Sequence, residues 1–188
     1  MVCVGVVPST TAKIDLTPDK KSIKEEGIEW IANPFDEWYS VVRATELKQK
    51  TGGEVVVVFC CPQKHEQLIR KVLALGADRA VRIDGKPSSP QETAYNLFLA
   101  IKDEQPDIVF CGKETIDYQG GIVGSILAGY LNLPFIFSVS KLEFENGKFI
   151  CERDLPGGVD VIEISPPFVL SSAKGLAEQK LPSIMAIT

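Results

Sequence analysis

Short apolar runs alternate with segments of helical spacing along the first 131 residues of the chain. The apolar runs are bounded by turn-forming residues and predict buried strands at residues 2–7, 54–60, 80–83 and 107–111. The intervening segments carry apolar stripes that predict helices at residues 34–50, 63–75, 91–102 and 120–130. This regular alternation predicts a parallel sheet with right-handed crossovers and helices on both faces.

The pattern changes after residue 132, where short strands separated by turn signals replace the helices. Strands are predicted at residues 135–139, 141–145, 148–152, 159–164 and 168–170. The dipeptide Asn146-Gly147 between two of them is the strongest short hairpin signal known. We therefore predict that antiparallel strands extend the sheet, and that residues 1–188 form a single α/β domain with a Rossmann-like, three-layer sandwich architecture.

Capping and helix-ending residues predict where the first helix starts and ends. Asn33 is expected to be its N-cap, Pro34 to occupy the first helical position, and the glycines at 52–53 to end it. Phe35 is expected to belong to the core stripe of this helix. The largely polar residues 9–32 are expected to cross the edge of the sheet as an excursion that includes a small hairpin.

Composition excludes several classes of function. The net charge is −5, the pI is near 5.0 and the basic residues are scattered, which excludes a nucleic-acid partner. No apolar run approaches the roughly 20 residues that a bilayer-spanning helix needs, so we expect a cytoplasmic protein without membrane insertion. The five cysteines form no Cys-x-x-Cys pair and are expected to be reduced core residues, with no metal site. The single histidine, His65, is expected to be a solvated surface residue.

The segment 107–130 is the strongest candidate for binding chemistry, because it has the order of strand, polar loop and helix. Gly120 and Gly121 stand where the helix is expected to begin, and free N–H groups at a helix start bind anions such as phosphate. The spacing matches neither G-x-x-x-x-G-K nor G-x-G-x-x-G, so an ordinary connection remains open as an alternative. Ligands of parallel sheets bind beyond the carboxyl ends of the strands, so loops after Val7, Cys60 and Cys111 are expected to converge.

Several stretches in the same order resemble the beta subunits of electron transfer flavoproteins. Residues 33–37, Asn-Pro-Phe-Asp-Glu, are similar to the family's Asn-Pro-aromatic-Asp-Glu, and residues 112–117, Gly-Lys-Glu-Thr-Ile-Asp, to its Gly-Lys-Gln-Ala-Ile-Asp. Residues 69–80, which include Leu-Ala-Leu-Gly-Ala-Asp-Arg, resemble the family's Leu-Ala-Met-Gly-Ala-Asp-Arg stretch. Glu152-Arg153 resembles its hairpin motif, and residues 182–185 resemble the Pro-x-Ile-Met after its recognition loop. The resemblance covers essentially the whole chain.

The resemblance implies a non-catalytic electron-carrier subunit with an adenine nucleotide alpha hydrolase-like fold. Such a subunit holds AMP, or a second FAD in electron-bifurcating relatives, and pairs with an FAD-carrying alpha subunit that receives electrons from acyl-CoA or other dehydrogenases. Phe35 resembles the aromatic residue that approaches the alpha subunit's flavin. By position, the resemblance implies a nucleotide site formed by Cys3, Asn33, Pro34, Phe35, Asp36, Cys60, Gly112, Lys113, Glu114, Thr115, Asp117, Gly120, Gly121, Ile122 and Val123.

The chain departs from the family pattern both in the nucleotide-binding residues and in the region that docks the partner subunit. Gly5 replaces a lysine, and the apolar Ile122 and Val123 leave backbone N–H groups alone to bind a phosphate. Residues 174–180 lack the family's Asn-Glu-Pro-Arg motif, and the chain stops at Thr188 without the family's C-terminal arm. Two alternatives follow: a stand-alone, self-associating adenine-nucleotide module that has lost the alpha partner, or a nucleotide-processing enzyme, for which no metal cluster or general base can be assigned.

Overall fold

The structure is a computed structural model, and it describes residues 1–178 and Lys180. An eight-stranded sheet runs in the order β5-β4-β1-β6-β10-β7-β8-β9, and a second sheet pairs β2 with β3. The strands are β1 (Val2–Val4), β2 (Val6–Pro8), β3 (Trp30–Ala32), β4 (Val56–Cys60), β5 (Arg79–Ile83), β6 (Ile108–Gly112), β7 (Phe135–Glu145), β8 (Lys148–Leu155), β9 (Gly158–Ile164) and β10 (Phe168–Ser172).

Helices cover both faces of the sheet, as predicted. The helices are α1 (Asp36–Thr51), α2 (Glu66–Leu73), α3 (Pro90–Ile101) and α4 (Val123–Leu131). One apolar core lies between the sheet and α1 and α2, and a second lies between the sheet and α3 and α4. Neighbouring strand residues alternate between the two cores, so that Val4 faces α1 while Cys3 faces α3 and α4. The predicted three-layer α/β sandwich is confirmed.

The first strand is shorter than the apolar run predicts. The run is interrupted at Gly5, because the Gly5 N–H donates to the Glu37 carboxyl group instead of continuing the ladder. The chain then leaves the large sheet, and Val6–Pro8 pairs antiparallel with Trp30–Ala32, the strand at the end of the polar segment 9–32. The outlet of the first strand is therefore Gly5, and the prediction of a loop after Val7 is wrong.

The first helix begins later than its sequence signals predict. It starts at Asp36, Phe35 occupies the N-cap position with φ 64°, and no side chain caps the helix. Asn33 is not the N-cap and Pro34 does not occupy the first turn, since the Asn33 side chain is used in a contact with the loop after β6. The predicted end is confirmed, because Gly52 and Gly53 both have positive φ.

The segment after β4 also differs from its prediction. The predicted helix 63–75 divides into a 3₁₀ turn, Gln63–His65, and α2, which ends at Leu73. His65 is buried and packs edge-on against Trp30, with ring centroids 5.3 Å apart. The prediction of a solvated His65 is wrong, because Trp30 on β3 covers the imidazole.

The C-terminal strands extend the sheet as predicted. The sequence did not predict where the last strand lies within the sheet. Asn146 and Gly147 both have positive φ, as a tight hairpin turn between β7 and β8 requires. β8 and β9 pair antiparallel, whereas β10 returns to the middle of the sheet and runs parallel to both β6 and β7. Leu176 is buried in the first core, although no core residue was expected there. Residues 182–185, with their family-like motif, lie outside the described residues.

The described residues contain no helix that is long and apolar enough to cross a membrane. All five cysteines are free thiols, four of them buried, which agrees with their prediction as reduced core residues.

Candidate functional site

The carboxyl ends of three neighbouring strands meet at one edge of the sheet. β1 pairs in parallel with β4 on one side and with β6 on the other, with Val4 level with Phe59 and Val2 level with Phe110. Gly5 and Gly112 therefore lie side by side where β1 and β6 end. This edge is the place where parallel sheets bind ligands.

The side chain of Glu37 contacts both of these strand ends. Its carboxyl oxygen Oε2 accepts a hydrogen bond of 2.6 Å from the N–H of Gly5. A β-carbon added at Gly112 would lie 2.6 Å from Cγ of Glu37, so only glycine fits there. Glu37 is buried although it belongs to the first turn of α1. Burial, with smaller contributions from the nearby Asp36 and Asp117, raises the pKa of its carboxyl to about 8, although the hydrogen bond from Gly5 opposes the shift.

Asn33 joins the segment before α1 to the loop after β6. Its Oδ1 accepts a hydrogen bond of 3.0 Å from the N–H of Ile116, and its Nδ2 donates to the carbonyl oxygen of Glu114 at 3.2 Å. Asn33 is completely buried, so both bonds are shielded from water. A weaker bond of 3.4 Å runs from the N–H of Glu114 to Asp36 Oδ2. Asn33 and Asp36 thus hold the backbone of residues 112–117.

Ser172 on β10 completes this support. Its hydroxyl bonds to the carbonyl oxygens of Asp36 and Cys111 and to the hydroxyl of Ser40, at 2.6, 3.0 and 2.6 Å. The N–H of Lys113 donates to the Ser172 carbonyl oxygen at 3.0 Å. One strand in the middle of the sheet therefore anchors both segments that form the edge.

The loop after β6 closes on itself before α4 begins. A β-carbon at Gly121 would lie 3.6 Å from the carbonyl oxygen of Lys113, and Gly121 has φ 65°. The helix begins at Val123, so its start lies two residues beyond the predicted glycine pair, with Ile122 in the N-cap position. Within residues 1–178, the N–H groups of Gly120 to Val123 donate to no acceptor. These free donors are suited to an anion.

Phe35 stands at the outer rim of the edge. Its backbone has φ 64° and ψ −103°, a conformation that costs energy in a residue with a side chain. Its ring is 52% exposed, so the prediction that it belongs to the core stripe of α1 is wrong. Strained and exposed residues of this kind concentrate at functional sites.

The two predicted cysteines lie on the opposite face of the sheet from Asn33. Cys3 is buried among the residues that face α3 and α4, beneath the edge itself. Cys60 ends β4, is half-buried, and accepts a weak hydrogen bond of 3.9 Å from Asn96 Nδ2 of α3. No hydrogen bond among the described residues joins Cys60 to segments 33–37 or 112–123. Strand register alone places it at the same edge.

The charges at the edge are mainly acidic. Asp36 is half-buried, and its burial raises the pKa of its carboxyl, while Lys113 opposes that shift. Thr115 packs its methyl group towards Gly5, and Asp117 accepts a hydrogen bond of 2.9 Å from the N–H of Tyr118. No group of acidic, histidine or cysteine side chains in the described part of the chain could hold a metal ion.

Two surface pockets lie at the other, amino-terminal edge of the sheet. The first, of about 380 Å³, lies beside Pro106 and Pro166, and the second, of about 550 Å³, between Leu47, Glu104 and Phe149. Neither is lined by a predicted site residue. We favour the carboxyl edge as the site because the buried polar contacts and free N–H groups converge there.

Sequence reasoning missed four residues of this edge: Gly5, Glu37, Asn96 and Ser172. Glu37 and Ser172 carry no local signal, because an acid in a first helical turn and a serine at a strand end are usually exposed. Gly5 did carry one, since a glycine inside a strand pattern indicates a break or a close approach.

Comparison with known proteins agrees with the predicted resemblance. A family model described as the electron transfer flavoprotein domain matches residues 21–186. The electron transfer flavoprotein subunit beta of Thermoanaerobacterium thermosaccharolyticum is 35% identical across 100% of this chain, which covers 72% of that protein. The same subunit of Syntrophomonas wolfei is 36% identical, with 100% of this chain and 74% of the relative covered. The human subunit is 31% identical, with coverages of 98% and 76%. The chain belongs to the electron transfer flavoprotein family and is similar to its beta subunits.

Proposed function

We propose that this chain is a non-catalytic electron transfer flavoprotein beta-like subunit that holds an adenine nucleotide at the carboxyl edge of β1, β4 and β6. The nucleotide is AMP, with FAD as the alternative. The subunit pairs with an FAD-carrying alpha subunit, and the flavin supplies the redox chemistry by which electrons pass from a dehydrogenase. The chain's own residues bind and orient the nucleotide and support the pairing.

The observation that carries the proposal is the bridge between Asn33 and the backbone at Glu114 and Ile116. It brings together two segments, 33–36 and 112–123, that are distant in sequence and that the family resemblance assigns to one pocket. A buried side chain with two bonds to one loop fixes that loop more firmly than a surface contact does.

The residues present fit an adenylate at both ends of the pocket. Polar backbone groups at the strand ends are suited to the edge of an adenine ring, and the free N–H groups of Gly120 to Val123 to a phosphate. Gly120 has open space around its missing side chain, so an anion can approach the backbone closely. Lys113 supplies the one cationic side chain among the predicted site residues.

Phe35 is the residue proposed to face the partner's flavin. Its exposed ring and strained backbone hold an aromatic side chain outward at the rim of the nucleotide site. An aromatic residue presented in this way loses little conformational freedom when a partner covers it.

The test starts with the small molecules that are released when the purified chain is denatured, identified by mass spectrometry. AMP or FAD is expected. The nucleotide-free chain is then titrated with AMP by calorimetry. Ile122→Asp, which adds a carboxylate beside the free N–H groups, is expected to weaken AMP binding at least about tenfold. Val161→Asp on β9 is the matched control, since Val161 is also exposed but lies far along the sheet.

Pairing is tested by co-expression with an electron transfer flavoprotein alpha subunit and by size-exclusion chromatography at flavin-absorbing wavelengths. A complex that carries flavin supports the proposal. Nucleotide binding by a self-associated chain that forms no such complex would favour the stand-alone module. Failure to bind AMP and FAD, together with failure to form the complex, would overturn the proposed function.

A further inference from the structure

Glu37 lies at the point where the segments of the candidate site meet, yet nothing in the proposed function uses it. Its side chain leaves the first turn of α1, receives the N–H of Gly5 at the end of β1, and lies against Gly112 at the end of β6. The site loop 112–117 continues directly from that contact. A change in the position of this carboxyl would therefore move both strand ends.

The tight packing leaves the Glu37 carboxyl little freedom. Gly5 and Gly112 both lie against this carboxyl. A β-carbon added at Gly5 would lie 3.4 Å from Oε2, and one added at Gly112 would lie 3.2 Å from Oε1. Its hydrogen-bond donor is the Gly5 N–H, which is neutral. Among the described residues no salt bridge reaches Glu37, so a carboxylate at this position would be a buried charge whose hydrogen-bond partner is neutral.

The other ionisable groups around Glu37 are acidic. Asp36 on α1 and Asp117 in the loop after β6 both disfavour its ionisation, and the Cys111 thiol on β6 interacts with it as well. The nearby cation, Lys113, acts on Asp36. An ionised Glu37 would add a further negative charge beneath the ends of β1 and β6, next to two other acidic side chains.

We infer that Glu37 is a positioning residue of the nucleotide site, whose neutral carboxyl holds the ends of β1 and β6 in the arrangement that accepts an adenylate. Ionisation of Glu37 loosens this arrangement, because the charged form is disfavoured where it is buried against the two strand ends. Nucleotide binding is therefore linked to the uptake of one proton by Glu37 when the solution is alkaline enough to ionise it. This inference rests on the proposed function, because it concerns the same site.

The experiment measures the affinity of the nucleotide-free chain for AMP by calorimetry between pH 7 and pH 9.5. This range lies above the second pKa of a phosphate monoester, which is about 6, so the ligand's charge is constant. The affinity of the wild-type chain is expected to fall about tenfold across the range, which corresponds to a shift of one pKa unit on binding. Titrations in buffers with different ionisation enthalpies are expected to show proton uptake at pH 8.5.

Glu37→Gln keeps an oxygen for the Gly5 N–H and cannot ionise. Its affinity is expected to stay at the low-pH value across the range, with no proton uptake from this residue. Glu46→Gln is the matched control on the same helix, because Glu46 pairs with Arg43 and Lys180 on another side of α1. It is expected to retain the pH dependence of the wild-type chain.

The outcomes separate this inference from the proposed function. Wild-type affinity for AMP that does not change with pH, without proton uptake, would overturn the inference and leave the proposed function standing. A Glu37→Gln variant with the wild-type pH dependence would do the same. If this variant does not fold, the proton uptake of the wild-type chain decides the question by itself. Absence of AMP binding at every pH overturns both.

Discussion

Cγ of Glu37 lies where Gly112 has no room for a side chain, with only 2.6 Å between that atom and the position of an added β-carbon. The end of β6 and the first turn of α1 are therefore packed without any spare volume. Gly112 has an ordinary backbone conformation, so this close approach, and not a positive φ, accounts for the glycine.

Gly112→Ala is expected to destabilise the fold by about 1–3 kcal/mol, because the added methyl group must displace a buried carboxyl or the strand end. The measurement is the free energy of unfolding in urea. Gly129→Ala on α4 is the control: its added β-carbon meets nothing within 4 Å, and alanine favours a helix over glycine by roughly 0.5–1 kcal/mol. Equal stability of Gly112→Ala and the wild-type chain would contradict the packing described above.

The raised pKa of Glu37 makes a second prediction, about stability and pH. The folded chain holds this proton more tightly than the unfolded chain, with a pKa of about 8 against an ordinary value of 4.5. The stabilising contribution is therefore complete below pH 4.5 and is lost as the pH rises from there to about 8.

Glu37→Gln removes this loss, so it is expected to gain stability relative to the wild-type chain as the pH rises from 5 to 9. The relative gain is expected to reach up to about 4–5 kcal/mol. Urea unfolding of both proteins at several pH values measures it, with Glu46→Gln as the control. A constant difference between variant and wild type over this pH range would show that Glu37 does not titrate there.

Asn33→Ala is expected to release the loop after β6. It leaves the N–H of Ile116 and the carbonyl oxygen of Glu114 without their partner, at a cost of about 1–3 kcal/mol for a buried group. Hydrogen exchange at the Ile116 amide, followed by NMR, is expected to accelerate more than exchange in the core strands does. Asn96→Ala serves as the control, because the side chain of Asn96 bonds to Cys60 and not to this loop.

Substitutions of Phe35 separate backbone strain from the loss of the ring. Phe35→Gly and Phe35→Ala both remove the exposed aromatic side chain, but only glycine adopts the positive φ without cost. The glycine variant is expected to be more stable than the alanine variant by roughly 1 kcal/mol. Thermal unfolding of the pair measures the difference, and a more stable alanine variant would contradict the strained geometry.

Local patterns predicted most of the elements, and the failures come from contacts between distant parts of the chain. Apolar spacing predicted the buried strands and the apolar faces of the helices, because burial of those faces is what forms a layered sheet. Asn33 satisfies every local rule for an N-cap, but Ile116, 83 residues away, binds its side chain instead. His65 has no apolar signal of its own, and Trp30 buries it.

In the candidate site, too, local patterns predicted some residues and contacts between distant residues account for the others. The glycines at 120–121 and the motif at 33–37 are visible in the sequence, and the structure places their segments around one edge of the sheet. The role of Glu37 depends on two glycines that approach it from two different strands, Gly5 and Gly112. No spacing rule connects these three positions, because each belongs to a separate element.

The central position of β10 has a consequence for how the protein is made. Ser172, which anchors both Asp36 and Cys111, belongs to the last strand to leave the ribosome among the ten. The early strands and helices can begin to collapse during synthesis, but a gap between β6 and β7 persists until Phe168–Ser172 fills it. The edge of the sheet therefore acquires its final shape only after residue 172 has been synthesised, and a nascent chain halted before Phe168 would lack the support that Ser172 gives to this edge.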